Sequence, residues 1–269
     1  PIFQRLLVRQ LERGHLHDRR IQASSGFRHL EVGLMREFER LVECMGTVFV
    51  FRGRTSVSDA VLEEALLSAE NSLHKADSIF SLYKPQSPLS QLARGETSVA
   101  KCPPVVDEVW NLCEEWEKRT GGWFKAFTPQ NTFDPSGLVK TWAAEFAARA
   151  LLAAGIEDFT MNAGGDIRVL GTKGFRVDIC HAQEQLRDRP FKRLKRLQSA
   201  ALATSVADTH QTAFVRTLKA RREAWRNSTV LAPDCMTADA LTKWALQSSR
   251  LCPQLKAAMR LHSASMWRS

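Results

Sequence analysis

The sequence predicts an α+β fold: mixed sheet layers flanked by helices, with a ligand cleft between the helical and sheet layers. Three observations carry this expectation. Segments of helical period crowd the stretch from Val57 to Ala154, and short runs rich in β-branched and aromatic residues dominate from Asp158 onward. The two kinds of segment do not alternate as regular βαβ units, which argues against a doubly wound parallel sheet.

The elements follow in order. Met45–Phe51 (Met-Gly-Thr-Val-Phe-Val-Phe) reads as the first strand. Val57 to Phe80 reads as a long helix with Val61, Ala65, Ala69, Leu73, Ala76 and Phe80 on one face, ended by the proline turn at Tyr83–Ser87. Pro88 to Arg94 holds a short helical turn. Val105 to Arg119 is a second amphipathic helix closed by Gly121 and Gly122, and Phe124 to Pro129 is a short extended piece. Gly137 to Ala154 is an alanine-rich helix stopped by Gly155. Strands are expected at Asp158–Asn162, Asp166–Leu170, Gly174–Cys180, Ala200–Thr204 and Ser228–Ala232. A helix follows at Thr237–Gln247, and a closing strand at Ala264–Arg268. Residues 1–44 read as a basic extension with Leu6, Leu7, Leu11 and Leu16 at roughly helical spacing. Residues 45–269 form the expected domain.

The chain's 269 residues suffice for one large domain, and 14 Phe and 7 Trp supply core material. The formal net charge of +9 is compatible with nucleic acid, an anionic surface or a phosphate-rich ligand. Two basic runs, Arg187–Arg196 and Lys219–Arg222, read as a solvated strand or loop edge, or as a phosphate-attracting field. No recognition motif accompanies them, so specific nucleic-acid binding is not expected. The six cysteines are scattered, without CxxC or zinc spacing, and read as reduced, buried thiols. No apolar stretch approaches a transmembrane span and no export signal is legible in residues 1–20. The residues therefore point to the cytoplasm.

Four motifs carry possible chemistry, and each has a plain structural reading beside it. Asn162-Ala-Gly-Gly-Asp-Ile167 places two glycines after a strand. Such a turn lets backbone N–H groups approach phosphate oxygens, and it is equally a common strand-to-strand turn. Phe133-Asp-Pro-Ser-Gly-Leu-Val-Lys-Thr-Trp142 opens a helix that Asp134 and Ser136 are placed to cap. The free N–H groups and Lys140 suit a phosphate, or the lysine is simply exposed. Met236-Thr-Ala-Asp-Ala-Leu-Thr-Lys243 offers Asp239 to a divalent cation with Thr237 or Thr242 supplying an oxygen, or else forms a helix cap. Leu202-Ala-Thr-Ser205 offers hydroxyls at a strand end, or runs into an ordinary turn.

Taken in order, these segments resemble one family. Met45-Gly-Thr, Asp77 to Leu92, Ala126-Phe-Thr-Pro129, Asp134 through Lys140 with Trp142-Ala-Ala-Glu145, Asn162–Ile167, Ala201-Leu-Ala-Thr-Ser205 and Thr237-Ala-Asp-Ala-Leu241 are similar to the FAD:protein FMN transferases, the ApbE or thiamine biosynthesis lipoprotein family. The resemblance covers about Met45 to the C-terminus. It implies binding of FAD and Mg2+, cleavage of the FAD pyrophosphate, and transfer of FMN to a Ser or Thr of a flavin-accepting target protein with release of AMP. A non-catalytic flavin-binding protein on the same scaffold is the alternative.

By resemblance the flavin site would include Met45, Tyr83, Ala126, Phe127, Thr128, Asp134, Lys140, Gly164 and Gly165, with Tyr83 stacking on a flat ring. The metal would be held at Asp239, with Gly137 and Lys243 at the remaining positions. Three departures stand out. Lys243 occupies the place of a threonine four residues after the metal aspartate. The interval before Asp239 lacks the family's His-x-x-Asp-Pro base motif, its one histidine being His210. Thr128 replaces an aspartate. Members of the family are often exported or anchored at the inner membrane.

Overall fold

The structure, a computed structural model, describes residues 35–128, 130, 132–180, 190–206, 227–248 and 252–268. Seven strands form one sheet in chain order: β1 (Arg36–Cys44), β2 (Thr47–Thr55), β3 (Asp158–Ala163), β4 (Asp166–Cys180), β5 (Pro190–Val206), β6 (Asn227–Ala232) and β7 (Ser265–Arg268). Every neighbouring pair is antiparallel. Six helices accompany the sheet: α1 (Asp59–Phe80), α2 (Pro88–Ala93), α3 (Pro104–Arg119), α4 (Ser136–Ala153), α5 (Cys235–Gln247) and α6 (Pro253–Leu261). The α+β class is the one the sequence predicts, and the sheet within it is an antiparallel meander.

Strand β1 revises the expected boundary at residue 44. Arg36–Cys44 is no extension but the edge strand of the sheet, paired along its length with β2. Its alternation of charged and apolar residues (Glu37, Glu39 and Glu43 against Phe38, Val42 and Cys44) has period two and gives it one core-facing side. The leucines at 6, 7, 11 and 16 lie outside the described residues. Met45 and Gly46 close the β1–β2 hairpin with φ of 53° and 70°. Two consecutive left-handed residues match the right-handed twist of the strands, and Gly46 takes the second place without strain.

The largest core lies between β1–β3 and helices α1, α3 and α4. Phe49, Phe51, Phe159 and Met161 from the sheet meet Leu73, Phe80, Leu138 and Leu151 from the helices. A second core joins β5 and β6 to α5 and α6 through Ala203, Val230, Leu241, Trp244 and Leu255. Ile167, Val169, Val177, Ile179 and Leu202 form a third cluster along β4 and β5.

The strands β4 and β5 are longer than expected. The segments at 166–170 and 174–180 are one strand with register shifts, and the described part of the basic run, Pro190–Arg196, is strand β5. Among the described residues no helix is long and apolar enough to cross a membrane.

Candidate functional site

The β1–β2 turn, the β3–β4 turn, the end of β5 and the start of β6 all lie at one end of the sheet, as the register requires. The first two turns touch. Gly164 (φ 63°) and Gly165 (φ 107°) make the β3–β4 turn, and a Cβ on Gly164 would collide with the Thr47 side chain. Asn162 Oδ1 accepts the Gly165 N–H at 2.8 Å. That donor, expected to face a phosphate, is therefore engaged within its own turn.

Helix α4 begins at this end. Asp134 caps it in part: its Oδ1 accepts the Ser136 N–H at 3.0 Å, while Pro135 holds the N-cap position and Ser136 is the first helical residue. The expected cap by the Ser136 side chain is not formed. Ala126, Phe127 and Thr128 lie against Thr132, Phe133 and Asp134 in a hairpin-like segment. Asp134 N–H donates to the Ala126 carbonyl at 2.8 Å, and Thr128 N–H to that of Thr132 at 2.9 Å. Phe127 is wedged against Trp110 and Phe133, so its ring is committed to the protein on those sides. Gly137 is buried in the first turn of α4.

One turn into α4, Lys140 Nζ meets Asp166 Oδ2 at 2.8 Å. Thr204 N–H, from the Ala-Thr-Ser segment of β5, donates to Asp166 Oδ1 at 3.2 Å. The Thr204 hydroxyl itself is shared with Thr229 at 2.9 Å. From α5, Asp239 Oδ1 receives the Lys243 ammonium, and Asp239 Oδ2 lies 3.5 Å from Thr141 Oγ1. The two acids are close enough to act on one another. Burial is the main influence raising the Asp239 pKa; Asp166 adds to it, against the pull of Lys243 and Lys140. Burial opposes charge on Lys140, but Asp166 and Asp239 outweigh it and hold the ammonium above the ordinary lysine value.

The threonines expected beside Asp239 have other duties. Thr237 is taken up in the α5 cap, its N–H and hydroxyl both reaching Asp234 at 2.8 and 2.7 Å. Thr242 Oγ1 donates to the Ser228 carbonyl at 2.6 Å. The hydroxyl facing Asp239 comes instead from Thr141, on a different helix. Thr141 and Asp166 are the residues that sequence reasoning left off the site. Asp166 was in view, as the last polar residue of the Gly-Gly-Asp turn, and Thr141 is the immediate neighbour of Lys140.

Met45 packs against the large core. Asp77 and Lys84, at the exit of α1, act on the neighbouring Cys44 thiol, and Tyr83 directly precedes Lys84 in the chain. Its side chain is available to a ligand, the residue being 97% exposed. A separate groove of about 520 Å³, lined by Glu114, Glu117 and Lys118 among others, shares Phe127 with this region.

The donor set does not fit a resident magnesium ion. Three of the four oxygens of Asp166 and Asp239 accept from protein donors, Thr204 N–H, Lys140 and Lys243; the fourth, Asp239 Oδ2, lies 3.5 Å from the Thr141 hydroxyl, which donates to the Leu138 carbonyl at 2.9 Å. Mg2+ needs bare oxygens in near-octahedral array and would sit against an ammonium. Among the described residues there is no group of three or more His, Cys, Asp or Glu that could hold a metal. Of Asp239, Gly137 and Lys243, expected at a metal, Lys243 stands with its ammonium on Asp239, in the place beside that carboxylate that a cation would need.

Solved flavin transferases share this fold. Flavin Transferase ApbE from Vibrio cholerae superposes with a TM-score of 0.69 at 15% identity, over 87% of this chain and 94% of that one. The ApbE protein of Thermotoga maritima gives 0.69 at 15% identity, over 87% and 94%. The flavinyl transferase ApbE of Pseudomonas stutzeri in its apo form gives 0.65 at 14%, over 87% and 92%. At such identities the likeness is one of fold. Residues 126–250, a span that holds Lys140, Asp166, Asp239 and Lys243, match the ApbE family model. No curated protein matches the sequence.

Proposed function

We propose that the chain binds FAD at the turn end of the sheet and transfers FMN to a Ser or Thr hydroxyl of a partner protein, releasing AMP. The observation that carries this reading is the meeting of the Gly164–Gly165 turn, the opening of α4 at Lys140 and the Asp239–Lys243 pair of α5 around Asp166. Ammonium groups at a glycine turn beside a helix start suit the two phosphates of a dinucleotide. The family match over residues 126–250 and the names of the structural neighbours support flavin as the ligand.

In the reaction the acceptor oxygen bonds to the FMN phosphorus and the bridging P–O bond breaks. AMP leaves with the bridging oxygen, and the hydroxyl proton passes to the leaving phosphate or to water. Lys140 and Lys243 offset charge as it builds on the phosphate oxygens. Asp166 and Asp239 hold those lysines in position, and on this reading the exposed Tyr83 covers the isoalloxazine ring.

A second reading, flavin binding without transfer, is favoured by Lys243 standing on Asp239 and by the absence of a His-x-x-Asp-Pro segment before it. Incubation with FAD and a flavin-accepting protein separates the two. Transfer gives a covalent flavin on the acceptor by mass spectrometry and an equal amount of AMP. Bound flavin without AMP selects the second reading, and no bound flavin removes both.

A further inference from the structure

The charge cluster has a direction. The carboxylates lie behind, with 6% and 9% of the Asp166 and Asp239 side chains exposed, and the ammonium groups lie in front, with Lys140 at 30% and Lys243 at 22%. The acids are also largely used up, since three of their four oxygens accept from protein donors and the Lys243 ammonium stands on the carboxylate that carries the fourth. The lysines are not. An ammonium carries three N–H donors, and the contact to its acid takes one of them. The more exposed side chains of the cluster are thus two lysines with hydrogens to give, each anchored by a more buried carboxylate. Their side chains come from two different helices, whose placement is set by the core rather than by a ligand. Such a pre-formed array needs little reorganisation to receive an anion. It offers a divalent cation a single uncommitted carboxylate oxygen, Asp239 Oδ2, and meets it with like charge.

We infer that this site takes the diphosphate of its ligand through Lys140 and Lys243, without a divalent cation. The inference rests on the flavin reading for the identity of the ligand, but not for the chemistry of its recognition. Lys243, four residues from Asp239 on α5, is the built-in counter-charge. Its ammonium neutralises a phosphate oxygen from the side on which a metal would otherwise bridge ligand and carboxylate.

The test is a titration of the full chain with FAD, followed by quenching of flavin fluorescence, once in excess EDTA and once in excess MgCl2. The expected result is the same Kd in both, within about twofold. Lys243→Met should weaken binding by about tenfold or more in both buffers, because a charge-assisted contact is lost. Lys243→Thr uncovers an Asp239 oxygen, and its binding should become dependent on Mg2+.

A wild-type protein that binds FAD only with Mg2+ overturns the inference and leaves the flavin reading standing. Unchanged affinity in a folded Lys243→Met protein overturns it as well. If FAD binds in neither buffer the flavin reading fails, and ADP then decides the remainder by calorimetry. ADP bound in EDTA supports metal-free diphosphate recognition, and ADP unbound overturns it.

Discussion

At Gly164 the backbone is left-handed and the Cα faces the Thr47 side chain, so conformation and space both demand glycine. Gly46, at φ 70°, shares the conformation, but a Cβ there would meet nothing within 4 Å. Gly46→Ala should therefore cost only backbone strain, about 1 kcal/mol. Gly164→Ala should cost about 2–3 kcal/mol, because the β1–β2 and β3–β4 turns must also part. Urea denaturation of the two variants measures the difference, and equal losses would show that the Thr47 contact carries no weight. The demand at Gly164 was half legible: the sequence shows a Gly-Gly turn, but nothing in it places Thr47, which lies 117 positions earlier (164 − 47), against that turn.

At the scale of elements, one buried pair ties α4 to the sheet and to α5. Arg168 Nε on β4 lies 3.2 Å from Glu145 Oε1 on α4, with 11% of each side chain exposed. The same Glu145 oxygen accepts the Cys235 N–H at the start of α5, at 2.8 Å. Arg168 NH1 donates to the Ala200 carbonyl on β5 at 3.0 Å. This joint fixes the angle between the two helices that carry Lys140 and Lys243. Arg168→Met should destabilise the fold by about 3–5 kcal/mol, since it leaves a buried carboxylate without its cation. Adding Glu145→Leu should recover part of that loss, leaving the penalty of an unpaired Cys235 N–H. Denaturation of the single and double variants checks both steps, and a double variant no better than the single would refute the pairing. Helices α1 to α5 were readable from period and caps, because those signals are local, whereas α6 was not among the expected elements. The strand β1 was hidden by its charge: one apolar residue in two, on an edge, looks much like a basic extension until β2 is beside it.

For the molecule as a whole, the cores decide which chemistry is silent. Burial lifts the Cys113 thiol to about 12 and, with the Asp77 carboxylate adding, the Cys44 thiol to about 11. Cys235 is likewise pushed well up, by burial and by Glu145. A raised thiol pKa means protonation throughout the neutral range, and the thiolate is the reactive form. Cys44, Cys113 and Cys235 should therefore stay unlabelled by iodoacetamide at about pH 8 and become labelled only on unfolding. Peptide mass mapping of the labelled protein checks this, and early labelling of any of the three would contradict the packing of its core. The reading of scattered cysteines as buried thiols came from spacing alone, and it applies to these three. Cys102, Cys180 and Cys252 are half-buried.

The sequence by itself determined the α+β class, the order of the helices, the glycine turn and the motif order that resembles the flavin transferases. Each of these rests on periodicity or on residues that are neighbours in the chain. Only the tertiary structure decided that Asp166 is the meeting point of Lys140 and Thr204, that Thr141 rather than Thr237 or Thr242 faces Asp239, and that Lys243 lies on that aspartate. The physical reason is separation along the chain. Lys140, Asp166, Thr204 and Asp239 come from two helices and two strands. Which oxygen faces which donor is set by how α4 and α5 pack on the sheet, and no local pattern encodes that.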